Sequence, residues 1–183
     1  MNKLELRMYG LVPYNISPIQ QAIQFGHAVV EYSQKCKKDN NFDQSKYNDW
    51  ADNWKTFIIL NGGTTNTKIV NDVPFGTLNQ YKKILDENGI INASFHEPDL
   101  GDQLTAIVFI VDERVFNKED YPDFENWVSI DYSKVDVNNI SSYSDIINDL
   151  KQTNSPIYKE WVDFIGGEKN AFLKDFLKGF KLA

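Results

Sequence analysis

Pro18-Ile19-Gln20-Gln21-Ala22-Ile23-Gln24-Phe25-Gly26-His27-Ala28-Val29-Val30-Glu31-Tyr32 reads as one helix, and the rest of the chain takes its order from it. Ile19, Ala22, Ile23, Gly26, Val29 and Val30 recur at helical period, which predicts that they form the buried face. Gln20, Gln24, His27 and Glu31 follow at steps of four, three and four, so they line a second, polar side. Ser17 before Pro18 marks the start: a hydroxyl accepts from free amides, and proline fits a first turn. Gly26 in the helix interior costs about 1 kcal/mol against alanine. That cost predicts a close approach at Gly26, by another backbone or by a ligand beside His27. On these residues alone the polar stripe is either the wet flank of an ordinary amphipathic helix or one wall of a site.

Working outward, Leu4 to Val12 alternates as a strand, and the helix after it runs to about Lys38, ended by Asp39-Asn40-Asn41. Tyr47, Trp50 and Trp54 fall at roughly helical spacing, as a short packing helix or as a base-stacking platform. Lys55 to Leu60 is a continuous apolar run and predicts a buried strand. Asn61-Gly62-Gly63-Thr64-Thr65-Asn66-Thr67 follows as a loop rich in amides and hydroxyls, a composition able to surround an anion. It lacks the G-x-x-x-x-G-K-S/T spacing of a P-loop. Thr77 is expected to cap a helix over Leu78 to Asn88, closed by Gly89. Ile90 to Phe95 is a strand, Glu97-Pro98-Asp99-Leu100-Gly101-Asp102 an acidic loop, and Leu104 to Val111 the last strand. The order β-α-β-α-β-β over residues 1–112 predicts a compact α/β sandwich around a four-stranded mixed sheet. Ligands in open α/β sheets gather at strand carboxyl ends. There the Ser17 helix start, the Asn61 loop and the Glu97 loop can converge.

Residues 113–183 read as a helical C-terminal extension packed on that domain. Its first part, to about Asp145, is acidic and irregular, with turn residues at Pro122-Asp123 and Asn138-Asn139. Two helices then follow, Ile157 to Ile165, ended by Gly166-Gly167, and Asn170 to Phe180. In the last, Leu173, Phe176, Leu177 and Phe180 form an apolar stripe and Lys174, Lys178 and Lys181 a basic one, expected in solvent. The alternative uses of this helix are a homodimer surface or an electrostatic contact to RNA.

The 183 residues suffice for one good core with an appendage. Charged residues make up 25% and no long apolar run occurs, which excludes a membrane span. The start, Met1-Asn2-Lys3-Leu4-Glu5, has no signal-peptide core. A lone Cys36 fits a reducing cytoplasm. One cysteine and two histidines argue against a zinc site, so neither metal nor cofactor is expected. A net charge of −7 disfavours a dedicated polyanion binder, which presents a basic face. A small phosphorylated or nucleotide ligand held by backbone amides is compatible with it.

Gln24-Phe25-Gly26-His27-Ala28-Val29-Val30-Glu31 resembles the Gln-Cys-Gly/Ser-His-Ala-Ala/Val helix of the type 2 peptidyl-tRNA hydrolases. It follows a strand, as in that family. Glu97-Pro98-Asp99-Leu100-Gly101-Asp102-Gln103-Leu104-Thr105-Ala106 sits where the family has an Asp-x-Gly-x-Thr segment before its last core strand. This second match is looser and resembles a divergent branch found in phage genomes, for which the location would be the host cytoplasm. The resemblance covers residues 4–112. The family carries a lysine shortly before the helix glutamine, in a Gly-Lys-Ile/Leu context. This chain has Gln20 there, and no lysine lies between Lys3 and Lys35.

Hydrolysing an aminoacyl ester needs an activated water and a stabiliser for the oxyanion. The resemblance implies His27, Asp99 and Thr105 as the catalytic group, with the histidine as base. Gln20, Gln24, Glu97, Asn61, Gly62, Gly63, Thr64 and Thr65 are the candidate substrate contacts. Neither a Ser-His-Asp signature nor a G-x-S-x-G elbow is present. Two functional classes stay open. One is a hydrolase of the ester between a peptidyl or aminoacyl group and tRNA. The other is a phage accessory protein that keeps the fold without the chemistry and sequesters a nucleotide, an RNA end or a protein partner. The retained Gln24 and His27 favour the first; the lost lysine favours the second.

Overall fold

The structure is a computed structural model that describes residues 3–40, 42–71, 73–128 and 143–183. Strand β1 (Leu6–Val12) leads into helix α1 (Pro18–Lys38). Ser17 caps α1, and the Gln20 side chain returns to the Ser17 amide at 3.1 Å. Lys35, Lys37 and Lys38 occupy its last turn, where cations complement the helix dipole. Helix α2 (Gln44–Asp49) continues into a π turn over Trp50–Trp54, ended by Lys55 in a left-handed conformation. Strand β2 (Thr56–Asn61) is followed by a small hairpin, β3 (Lys68–Val70) and β4 (Val73–Phe75). Helix α3 (Thr77–Glu87), β5 (Asn92–Glu97), a 3-10 turn over Pro98–Leu100 and β6 (Gln103–Asp112) complete the first part.

The four long strands form one mixed sheet in the order β2-β1-β6-β5. β1 is parallel to β2 and antiparallel to β6, which is antiparallel to β5. The fold is therefore the α/β sheet with a helical C-terminal part that the sequence pattern predicts. Strand alternation assigns the two faces. Leu6, Met8 and Val12 of β1, Ala106, Val108 and Ile110 of β6, and Ala93 of β5 join Phe25, Ala28, Tyr32 and Cys36 of α1 in one buried cluster. Leu11 points the other way, towards Leu78 of α3. Tyr9 and Phe109 stack on that second face, with centroids 6.2 Å apart. Beyond β2, residues near the chain end add one further bridge: the Asn61 amide donates to the Lys181 carbonyl and the Ala183 amide to that of Ile59.

The structure corrects the face of α1. Its buried residues are Gln24, Phe25, Ala28, Tyr32 and Cys36. Ile19, Ile23 and Val30 are instead 68%, 47% and 58% exposed, and Ala22 is exposed too. Aromatic bulk sets the rotation, because Phe and Tyr bury the most apolar area per residue. Phe25 and Tyr32 enter an aromatic layer with Phe42, Tyr47, Trp50 and Phe57, at centroid distances of 5.1 to 6.0 Å. Trp50 is buried there with its indole bonded to the Thr56 carbonyl, so this segment serves as packing. Gly26 is not the point of close approach: a Cβ there meets nothing within 4 Å. The tight helix–sheet contact falls at Gly10, where a Cβ would lie 2.2 Å from the Phe25 ring.

One further local expectation changes. The hairpin β3–β4 fills the stretch between the Asn61 loop and α3. The cap of α3 is Gly76, whose amide donates to Asn79 Oδ1 at 2.8 Å. Thr77 faces back to the Asn61 loop, donating to the Gly62 carbonyl and accepting from the Thr64 amide.

Residues 114–176 cluster as a second unit, whereas 177–183 belong with residues 1–113. The second unit contains helices α4 (Glu113–Phe116, from its second residue), α5 (Phe124–Trp127), α6 (Tyr143–Gln152), α7 (Pro156–Phe164) and most of α8 (Glu168–Leu177). Phe124, Val128, Ile147, Trp161, Val162, Ile165 and Ala171 form its core. Lys174 departs from the expected solvated stripe. It is buried, donating to the carbonyls of Tyr121 at 2.6 Å and Val115 at 3.3 Å. Carbonyls and the nearby Asp123 replace the water that an ammonium needs. The turn expected at Asn138-Asn139 lies outside the described residues.

Candidate functional site

The site begins with an irregularity in the sheet. Phe95 pairs with Ala106 and His96 with Leu104, so Thr105 has no partner of its own across the ladder. Such a bulge re-aims side chains. Regular alternation would turn Thr105 away from α1, because its neighbour Ala106 belongs to the cluster under that helix. The bulge instead brings the Thr105 hydroxyl to Gln24 Oε1, to which it donates at 2.6 Å. Gln24 Nε2 in turn donates to Glu97 Oε2 at 2.5 Å. With its acceptor and its donor both engaged, Gln24 can be buried without an unmet polar group. The chain Thr105–Gln24–Glu97 thus joins α1, β5 and β6, and it fixes a carboxylate at the end of β5.

His27 lies one turn along α1 from Gln24 and is exposed. Its imidazole meets the Phe95 ring edge-to-face, with centroids 4.5 Å apart. Phe95 and Glu97 are two residues apart on β5 and share the face towards α1, about 6.5 Å apart by strand rise. The Glu97 carboxylate also accepts from the Asp99 amide at 3.4 Å, closing the 3-10 turn. Asp99 and Asp102 are exposed on this turn.

No protein-family model matches the chain, and no curated protein does.

Of the residues singled out in the sequence, Gln24, Glu97 and Thr105 are joined directly, and His27 comes to them through Phe95. Gln20 is turned away: its side-chain oxygen serves the Ser17 cap. The Asn61 loop is tied to the same end of the sheet, because the Thr65 hydroxyl donates to the Leu104 carbonyl, next to Thr105. Its polar groups hold the loop itself. Asn61 Oδ1 accepts from the Gly63 amide, the Gly62 amide donates to Val12, and the Thr64 and Thr67 hydroxyls bond each other. Gly63 has φ +83°, and a Cβ there would strike Thr77 Oγ1, so glycine is required. The Tyr14 amide donates to the Gly63 carbonyl, fastening this loop to the turn before α1.

Sequence reasoning passed over Phe95. The signal that finds it is its i, i+2 relation to Glu97, which puts both side chains on one strand face. Charge around the site is negative, from Glu97, Asp99 and Asp102. Arg7, on β1, pairs with Glu5 at 2.7 Å. Burial, with the charge of Asp43 adding, pushes the Cys36 thiol up to about 11, so thiolate chemistry is not available there. Among the described residues no three His, Cys, Asp or Glu side chains converge to hold a metal ion, and no helix is long and apolar enough to cross a membrane.

Proposed function

We propose that this chain is a divergent relative of the type 2 peptidyl-tRNA hydrolases and hydrolyses the ester between a peptidyl or aminoacyl group and tRNA. The observation that supports this reading is the Thr105–Gln24–Glu97 chain beside an exposed His27. His27 takes the proton of the attacking water, and Glu97 orients that water or the imidazole. Gln24 and Thr105 are buried and act by holding Glu97. Asp99, exposed on the same turn, is the acid there that the resemblance names, within reach of a substrate.

One observation favours a second reading. Gln20 is consumed by the helix cap where the family has a lysine, and that absence removes a natural partner for phosphate. A chain that keeps the fold but only sequesters a nucleotide or an RNA end fits this loss. Turnover of N-acetyl-aminoacyl-tRNA separates the two. For the hydrolase, His27→Ala lowers kcat about 10²- to 10⁴-fold while binding persists. Wild-type turnover no faster than buffer, with stoichiometric retention of a co-purified nucleotide, rejects the enzyme and supports the binder.

A further inference from the structure

We infer that Phe95 is a positioning residue for His27, holding the imidazole over the end of β5 on the side of Glu97. This catalytic meaning rests on the reading of His27 as the base; the contact itself does not. An exposed histidine on a helix flank keeps two χ1 wells and a broad χ2, because the helix backbone excludes only the third χ1 well. Here the edge-to-face contact at 4.5 Å supplies the constraint.

Phe95 is itself held by the sheet. It makes the last regular pair of β5 before the bulge, opposite Ala106, and packs against the buried cluster under α1. Its carbonyl lies 3.4 Å from the Thr105 hydroxyl that engages Gln24. The two halves of the site therefore meet at one point of the sheet: regular pairing up to Phe95 seats the ring that orients His27, and the irregularity just after it aims Thr105 at Gln24, which clamps Glu97.

The charged groups on the elements around His27 are Glu31, one turn along α1, and Glu97 and Asp99 at the end of β5. Lys35 lies two turns away with its ammonium over Phe42, 5.8 Å from the ring centroid. None of these supplies an apolar surface against which the imidazole can rest, and Phe95 does.

The test compares wild type with Phe95→Leu and the conservative Phe95→Tyr. In wild type, the His27 ring protons should carry the ring-current shift of a neighbouring aromatic ring and show cross-relaxation to Phe95; exposed His96 serves as the internal reference. Leucine should abolish that shift and lower kcat about 10- to 100-fold with KM unchanged, as misplacement of a reacting group does. Tyrosine should keep both. Absence of His27–Phe95 cross-relaxation in the wild type overturns the inference without any variant having to fold. So does an unchanged kcat in a folded Phe95→Leu protein that turns over substrate. If the wild type has no esterase activity but the cross-relaxation is present, the hydrolase reading fails and the positioning of His27 by Phe95 stands.

Discussion

Thr105 and Gln24 make the site dependent on a single hydroxyl. Both are buried, and Gln24 Oε1 accepts its bond from Thr105 at 2.6 Å. Thr105→Val keeps the shape and leaves that oxygen without a donor, at a cost of about 1–3 kcal/mol. The urea midpoint should fall accordingly, and Thr105→Ser should restore it; an unchanged midpoint in the valine variant would contradict the bond. The glycines supply a contrasting pair. Gly26→Ala fills open space in a helix interior and should stabilise by about 1 kcal/mol. Gly10→Ala drives a methyl into the Phe25 ring and should destabilise by about 1–3 kcal/mol. Thermal denaturation of the two variants in opposite directions is the expected result. Destabilisation by Gly26→Ala would mean that the outer face of α1 is covered in solution.

At the scale of elements, α2 shows how a short helix is kept. Asp43 is its N-cap, accepting from the Lys46 amide at 2.9 Å and from the Ser45 hydroxyl at 2.7 Å. The Ser45 and Lys46 bonds hold its carboxyl below the usual aspartate range. A depressed folded value means that the stabilisation is complete above the unfolded value, near 3.9, and is lost as pH falls through the folded one. Asp43→Ala should therefore cost about 1 kcal/mol at neutral pH. The gap between wild type and variant should close in acid. A gap that persists below pH about 2 would show that the cap acts by something other than its charge.

In the molecule as a whole, each unit has its own centre. That of residues 114–176 includes a buried ammonium, Lys174, between two backbone carbonyls and Asp123. Lys174→Met keeps the apolar stem but removes the bonds to the Val115 and Tyr121 carbonyls, while the buried Asp123 keeps Lys118 at 3.0 Å. Losing buried hydrogen bonds of a charged group costs about 1–3 kcal/mol. Hydrogen exchange should then accelerate in α7 and α8 more than in β1 and β6. Equal acceleration in both places would show that the two units do not open separately.

By itself the sequence determined the order of the four long strands and the two helices among them, and the class of fold. The evidence is local: apolar alternation in β1 and β6, the Ser17-Pro18 start of α1, and the glycine that closes α3. It also pointed to Gln24, Glu97 and Thr105, through a motif and an acidic loop. The tertiary structure decided how these were used. Helical period permits several faces, and α1 chose the one that places Phe25 over Gly10 rather than the one richest in isoleucine. Period two put Thr105 on the wrong side of its strand, and only the mismatch between β5 and β6 turned it to Gln24. Lys174 likewise follows its stripe in the sequence but lies buried, because carbonyls distant along the chain satisfy its charge. Rotation, register and burial of this kind depend on partners many residues away, and no local pattern carries them.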